Sequence, residues 1–413
     1  VESLLEELGV TATLVLETHL HNDYVSGAEQ AARRTGAELV LPAAAAAAYD
    51  HTPAFHLEDL GEPGLTIRPI HTPGHTPEHT SYVVLIDGEP VAVFTGGSLL
   101  VGSAGRPDLL GMQRARTLAK LQYGSLQRLA RLPREMQLLP THGEGSFCTS
   151  SGAGRYTSTV GEEIDTNPLL TIPDAETFAD TVLESLMPIP AFYRFMGPTN
   201  TLGVPPMPAV EVAELKVGDL DAMREDGEIH VVDIRPREVQ AAGLLPGSVA
   251  IEFGIDFGSW AGWLVPYNSP IVLVAERGQD VTEAVTQLAQ IGADSVRGVI
   301  YDPAPADLDP GYPLLGTDEF VAAVAGDPEA TRLDVRMPNE RATVAWNGAI
   351  ERFVADLFTQ GLPEGMNKDR PVYIACGSGR RAAIAASLLL TEGYNPVVLN
   401  SAGVSELVGT AAN

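Results

Sequence analysis

THLHNDY, residues 18–24, follows the short apolar run LVLE and sets His19, His21 and Asp23 at every second position. Residues two apart on an extended backbone share a face, and imidazole with carboxylate is the ligand chemistry of zinc and non-haem iron. Two further turns carry the same residue type. In HTPGHTPEH, residues 71–79, Pro73 and Gly74 make a turn that presents His75. In LPTHGEGS, residues 139–146, His142 follows a short apolar strand. One histidine beside a strand is ordinarily a satisfied structural residue. Three histidine-bearing turns, each just after a strand, point to a site of metal-binding origin.

The chain has 413 residues, too long for one ordinary core, so two or three domains are expected. Its formal charge is −28, and lysine occurs only at Lys120, Lys216 and Lys368. So acidic a chain repels nucleic acid and anionic membrane surfaces. No apolar stretch is long enough to span a bilayer, and no signal peptide is visible. The two cysteines, Cys148 and Cys376, make no disulfide framework, so a reducing cytoplasm is expected. Cys148, in GEGSFCTSSG, reads as a small buried hydrophobe. The alanine run Ala43 to Ala48 reads as a helix.

Three segments separate. The first, residues 1–205, holds eight of the nine histidines and ends in GPTNTLGVPPMP, residues 197–208, which reads as a linker. The second, 209–300, and the third, 314–413, are divided by the proline-rich YDPAPADLDPGYP, residues 301–313. These two look like copies of one unit. Each has an apolar strand ending in Asp-x-Arg, HVVDIRP (230–236) and TRLDVRMP (331–338). Each has a later strand opened by proline, PIVLVAE (270–276) and PVYIACG (371–377). Strands alternating with helical patterns at this spacing argue for parallel α/β units.

CGSGRRA, residues 376–382, is the sharpest local motif. Cys376 ends an apolar strand, and a loop of Gly377, Ser378 and Gly379 runs into a helix that opens with Arg380 and Arg381. Backbone N–H groups of such a loop, backed by a helix N-terminus, form a positive cradle. The cradle lowers a cysteine's pKa and favours a thiolate or a bound sulfur anion. These six residues are the candidate catalytic set. In the second segment Glu276 falls at the cysteine position and Val281 at that of Arg381. A carboxylate cannot take the part of that thiol, so 209–300 is expected to serve in packing, spacing or dimer contact, without the chemistry of the cysteine loop.

The HxHxD and TPGHT motifs, the glycine loop TGGSLL (95–100), GRPDL (105–109) and the late THGEGS together resemble the metallo-β-lactamase superfamily, in its persulfide dioxygenase branch. The resemblance implies an αββα sandwich over residues 1–205. VESLLEELGV would be the helix before the metal-bearing strand, so the chain is expected to begin after the family's first strands. The resemblance further implies one divalent metal, with Fe(II) favoured and Zn(II) as the alternative. The iron positions of the branch fall on His19, His75 and Gly97, while His21, Asp23 and His142 lie nearby in the family's geometry. Glycine has no ligating side chain and Ser98 is a poor substitute, so occupancy is in question. Gly97→Asp is expected to raise iron binding if the site lacks only that ligand. Tyr24 stands where many relatives carry a second-site histidine, which argues against a two-metal hydrolase.

Residues 314–413 resemble rhodaneses, sulfurtransferases whose cysteine carries a persulfide. Cys-x-x-Gly-x-Arg fits Cys376, Gly379 and Arg381. The resemblance implies two three-layer α/β domains, 209–300 and 314–413, the second with its cysteine intact. The fusion suggests oxidation of a low-molecular-weight persulfide to sulfite by the first domain, coupled to sulfur transfer through Cys376. The expected partners are then a thiol persulfide and sulfite or thiosulfate, with a homodimer as a further expectation. The alternatives are a sulfurtransferase on a metal-impaired scaffold, a metallohydrolase such as a thioesterase resembling glyoxalase II, and a non-enzymatic binding module. The motifs leave the identity of the thiol carrier open.

Overall fold

The computed structural model describes residues 2–142, 155–204 and 211–411. The chain forms two compact units, one of Val1–Ile189 with Tyr193–Pro206 and one of Pro190–Phe192 with Met207–Asn413.

The first unit opens with the helix Glu2–Leu8 and holds two sheets. The smaller pairs Leu14–Leu16 in parallel with Glu38–Pro42, and Glu38–Pro42 in parallel with Thr52–Ala54. The larger has six strands in the order Ser158–Thr159, Gln137–Pro140, Glu89–Gly96, Thr80–Ile86, Leu65–His71, Leu60–Glu62. Side chains alternate across a strand, and Thr80–Ile86 shows it. Tyr82 packs with Val40 and Ala54 of the smaller sheet. Its neighbours Val83 and Leu85 face the other way, into a cluster with Ala119, Leu126 and Leu129 of helix Met112–Leu129 and Phe178 of helix Ala175–Glu184. Helix Met112–Leu129 buries Ala115, Leu118, Ala119, Gln122, Ser125, Leu126 and Leu129, the three-and-four spacing of one helical face. A fully buried phenylalanine such as Phe178 contributes about 3–5 kcal/mol. With helix Ala28–Thr35 against the smaller sheet, the layers read helix, sheet, sheet, helix.

Two local expectations fail here. Ala43–Ala48 is irregular chain, not helix. Six residues are too few to offset helix nucleation, and the segment leaves strand Glu38–Pro42 with its amides already taken: Ala43 N–H donates to Ala54 O and Ala48 N–H to Thr201 O. Residues 197–202, read as linker, finish the helix Tyr193–Leu202. Buried Asn200 anchors that helix, donating through Nδ2 to the carbonyls of His21 and Tyr24 and accepting from Ser26 N–H. Residues 205–208 and Cys148 lie outside the described residues.

The second unit contains two all-parallel sheets of the same strand order. One runs Val249–Ala250, His230–Asp233, Ile271–Ala275, Val296–Tyr301, with Glu214 bridged in parallel to Val299 at its edge. The other runs Ile350–Glu351, Thr331–Asp334, Pro371–Ala375, Asn395–Leu399, Leu314–Leu315. Strands buried on both faces read as continuous apolar runs, and every residue of Ile271–Ala275 is buried. Both Asp-x-Arg motifs fold back on themselves inside the unit. Arg235 Nε donates to Asp233 at 3.0 Å and its Nη2 to Gly243 O. Arg336 does the same to Asp334, at 3.0 Å, and to Val344 O.

Candidate functional site

Two constellations carry chemistry, one in each unit. In the first, the chain leaves strand Leu14–Leu16 and turns, burying His19 and His21. The ring of His19 lies 4.2 Å from that of His21, 4.7 Å from His75 and 5.0 Å from His79. His75 arrives because Gly74, at φ +149°, lets its turn sit against helix Met112–Leu129. A Cβ there would lie 2.2 Å from Gln122 Cβ. The amide of Gln122 in turn donates to the carbonyls of Ser98 and Gly105, joining turn, helix and glycine loop. His79 closes HTPGHTPEH, and nothing in its spacing marks it as more than the end of the turn.

Each imidazole faces an internal partner. A carbonyl only accepts, so the 2.8 Å contact of His75 Nδ1 with Arg106 O puts the proton on Nδ1. His79 Nε2 accepts from Gly97 N–H at 3.0 Å, so its Nδ1 donates to Thr72 Oγ1. His19 Nδ1 lies 2.9 Å from Thr18 Oγ1. Burial holds all three rings neutral, His75 lowered to about 4 and His19 and His79 well below their ordinary range. His21 behaves oppositely. Burial lowers it, but the neighbouring Asp23 and Glu17 carboxylates outweigh that and raise it to about 9. Its Nε2 lies 3.0 Å from Glu17 and 2.9 Å from the Tyr24 hydroxyl, and its Nδ1 lies 3.7 Å from Asp23. The other oxygen of Asp23 is 2.7 Å from His142 Nε2. Burial raises the Asp23 carboxyl, yet the His142 hydrogen bond and the nearby His21 ring hold it well below the usual carboxylate range.

All five expected ligands therefore meet in one buried cluster, but as a hydrogen-bonded network. Among the described residues no three histidine, cysteine, aspartate or glutamate side chains are arranged to hold a metal ion. At Gly97 the space for a ligating side chain is filled, since a Cβ would stand 2.3 Å from His75 Cδ2 and 2.7 Å from its Nε2. Ser98 is fully buried and its hydroxyl has no partner among the described residues. The residues present do not fit a three-ligand iron or zinc centre.

In the second unit strand Pro371–Ala375 delivers Cys376 to a loop that enters helix Arg380–Thr391. Cys376 is fully buried. Gly379, at φ +92°, turns its N–H onto the sulfur at 3.1 Å. Arg381 places both terminal nitrogens on Glu340, one at 2.7 Å, and also lies against Cys376. Burial opposes its charge, while the Glu340 and Cys376 contacts raise its pKa. Arg380 turns away from the thiol, to Asp256 at 2.7 Å and Glu252 at 3.4 Å. Gly377 and Ser378 supply the loop backbone, and Val404 N–H holds the Cys376 carbonyl at 2.9 Å. Glu276 stands directly after strand Ile271–Ala275, as Cys376 stands after Pro371–Ala375. Glu340, Asp256, Glu252 and Arg237, which reaches Ser378 O, were not expected at this site. They approach from elements distant in sequence, and only the second-unit fold brings them together.

The sequence profile of the metallo-beta-lactamase superfamily matches residues 4–142. A hydroxyacylglutathione hydrolase of Cereibacter sphaeroides is 30% identical over 200 residues, 41% of this chain and 73% of that protein. The mitochondrial persulfide dioxygenase ETHE1 of Homo sapiens is 28% identical over 204 residues, 48% of this chain and 71% of that one. Two further curated relatives are spanned for only 60% and 30% of their length. The crystal structure of a metallo-beta-lactamase from Staphylococcus aureus subsp. aureus COL superimposes with a TM-score of 0.64 at 27% identity. That likeness covers 73% of this chain and 87% of the other, more than the first unit alone could supply.

Proposed function

Because the chain belongs to the metallo-beta-lactamase superfamily and has persulfide dioxygenase relatives, we propose that it works in sulfane-sulfur metabolism, as a sulfurtransferase carrying sulfur on Cys376. The observation that supports this most is the Gly379 N–H on the Cys376 sulfur, at the head of a twelve-residue helix. A donor N–H and a helix N-terminus stabilise a thiolate, and equally the terminal sulfur anion of a persulfide. The thiolate attacks the sulfane sulfur of thiosulfate, its S–S bond breaks, and sulfite leaves with the electron pair. Cys376 then holds a persulfide anion. Attack by cyanide, or by a thiolate or sulfite acceptor, takes the outer sulfur and returns the thiolate. Arg381, beside the sulfur, offsets the anionic charge of donor and persulfide. The first unit, on this reading, binds the low-molecular-weight thiol persulfide that shares the same sulfur. A free thiol of this kind suits a reducing compartment. Among the described residues no helix is long and apolar enough to cross a membrane.

Persulfide oxidation by the first unit is the second reading, favoured by the 28% identity to a persulfide dioxygenase. Superfamily members bind divalent metals, but with Gly97 closed by His75 the residues present do not fit one. The test of the main reading is thiosulfate:cyanide sulfurtransferase activity of the full chain. Cys376→Ala should reduce it to background while the circular dichroism spectrum is unchanged. Activity retained by a folded Cys376→Ala protein would remove the role of that sulfur.

A further inference from the structure

The repeat without a cysteine reaches into the Cys376 loop. We propose that Arg237, at the start of helix Arg237–Ala242 in that repeat, is a positioning residue that sets the Ser378–Gly379 peptide plane so that its N–H donates to the Cys376 sulfur. In a trans peptide the C=O and the following N–H point in opposite directions. Arg237 Nη1 donates to Ser378 O at 2.8 Å on one side of this peptide, and Gly379 N–H donates to Sγ at 3.1 Å on the other. Holding the carbonyl aims the amide. Gly379 sits at φ +92°, and glycine occupies both signs of φ readily, so the loop alone does not fix this orientation.

Arg237 is itself held. Its Nε lies 3.0 Å from Glu252, and Nη1 is 3.4 Å from Asn400 Oδ1. The same Glu252 oxygen lies 3.4 Å from Arg380 Nε, and Asp256 takes Arg380 Nη1 at 2.7 Å. Gly254 leaves room for that guanidinium, since a Cβ there would fall 2.5 Å from Arg380 Nη2. The Arg237 side chain is only 15% exposed, which strengthens a charge-assisted bond to a carbonyl. Counted from the Asp-x-Arg motif, the third segment has Pro338 at the start of its helix where the second has Arg237. The residue is therefore not a shared trait of the two copies. The charged groups around the thiol are Arg381 with Glu340, Arg380 with Asp256 and Glu252, Arg237, and Glu406, which accepts from Gly403 N–H. The inference rests on the sulfurtransferase reading only for its activity readout.

The test compares Arg237→Met, which keeps the aliphatic stem without the donor, with Arg237→Lys, which keeps a donor. The thiol pKa of Cys376 is read from thiolate absorbance in the ultraviolet, each protein against its Cys376→Ala counterpart, at high salt to screen through-space charge. Arg237→Met should raise that pKa by about one unit and lower kcat for thiosulfate about tenfold at neutral pH, with KM changed less than about twofold. Arg237→Lys should recover most of both. Glu252→Gln, which loosens Arg237 through its Nε partner, should give a smaller rise, and it decides the matter if Arg237→Met does not fold. An unchanged thiol pKa in the folded variant overturns the positioning role. A shifted pKa in a chain that transfers no sulfur even as the parent would instead overturn the sulfurtransferase reading and leave the positioning intact.

Discussion

At Gly97 the His75 ring lies where a side chain would begin, with its Cδ2 only 2.3 Å from an ideal Cβ. The buried ring is tied by Nδ1 to Arg106 O, so it cannot yield without losing that bond. Gly97→Asp therefore meets a filled space and adds a carboxylate to a buried cluster. Overpacking of this kind costs about 1–3 kcal/mol. The variant should melt earlier than the parent and bind no more iron, by elemental analysis of protein reconstituted with ferrous salt. A stable variant holding one iron per chain would show that the ring moves aside and that only a ligand was lacking. The chemical types of this cluster were legible in the sequence, since His19, His21, Asp23, His75 and His142 all arrive in one place. Their partners were not. Glu17 and Tyr24 bond to His21, and Thr72 bonds to His79, through turns whose directions no spacing rule gives.

Among elements, the turn around Gly74 fits closely against the helix Met112–Leu129. An added Cβ would lie 2.5 Å from the Cα of Gln122 and 2.7 Å from its N, so backbone would have to move, at a φ of +149° that favours glycine. Gly74→Ala should destabilise the first unit by about 2–4 kcal/mol and free the Gln122 side chain from Ser98 and Gly105. Hydrogen exchange of residues 92–106 checks it, and unchanged protection there would contradict the account. The duplicated strand order of the second unit was visible beforehand in paired motifs, because parallel buried strands impose long apolar runs that repeat. The alanine run misled for the opposite reason. Helix propensity is local, whereas the fate of Ala43–Ala48 is set by a strand on one side and by Thr201 on the other.

At the scale of the whole molecule, the two units should answer pH differently. His19, His75 and His79 have folded pKa values below the unfolded value of about 6.5. Between those values the unfolded chain binds more protons, so the first unit gains stability as pH rises from about 4 to about 6.5. Each ring contributes in the same direction. His21 has the opposite sign. Its folded pKa of about 9 gives stability that is complete below about 6.5 and lost as pH rises through about 9. All three tryptophans, Trp260, Trp263 and Trp346, belong to the second unit. In chelator-treated protein, a urea transition seen by circular dichroism but silent in tryptophan fluorescence should move to lower urea as pH falls below 6.5. A transition that does not move with pH would mean that the rings are not neutral in the folded unit.

The Asp-x-Arg pairs of the two parallel sheets have a bearing on how such chains are read in genomes. Asp233 with Arg235 and Asp334 with Arg336 are equally buried and equally bonded, although only one of the two copies ends its third strand in a sulfur. Losing either member strands an opposite charge in the interior, a penalty of about 3–5 kcal/mol. The demands of folding alone are then enough to keep the pair, whether or not a thiol follows it. A survey keyed to that signature would count the two copies as alike. What separates the two copies lies after the third strand, cysteine at 376 with arginine at 381 in one, glutamate at 276 with valine at 281 in the other.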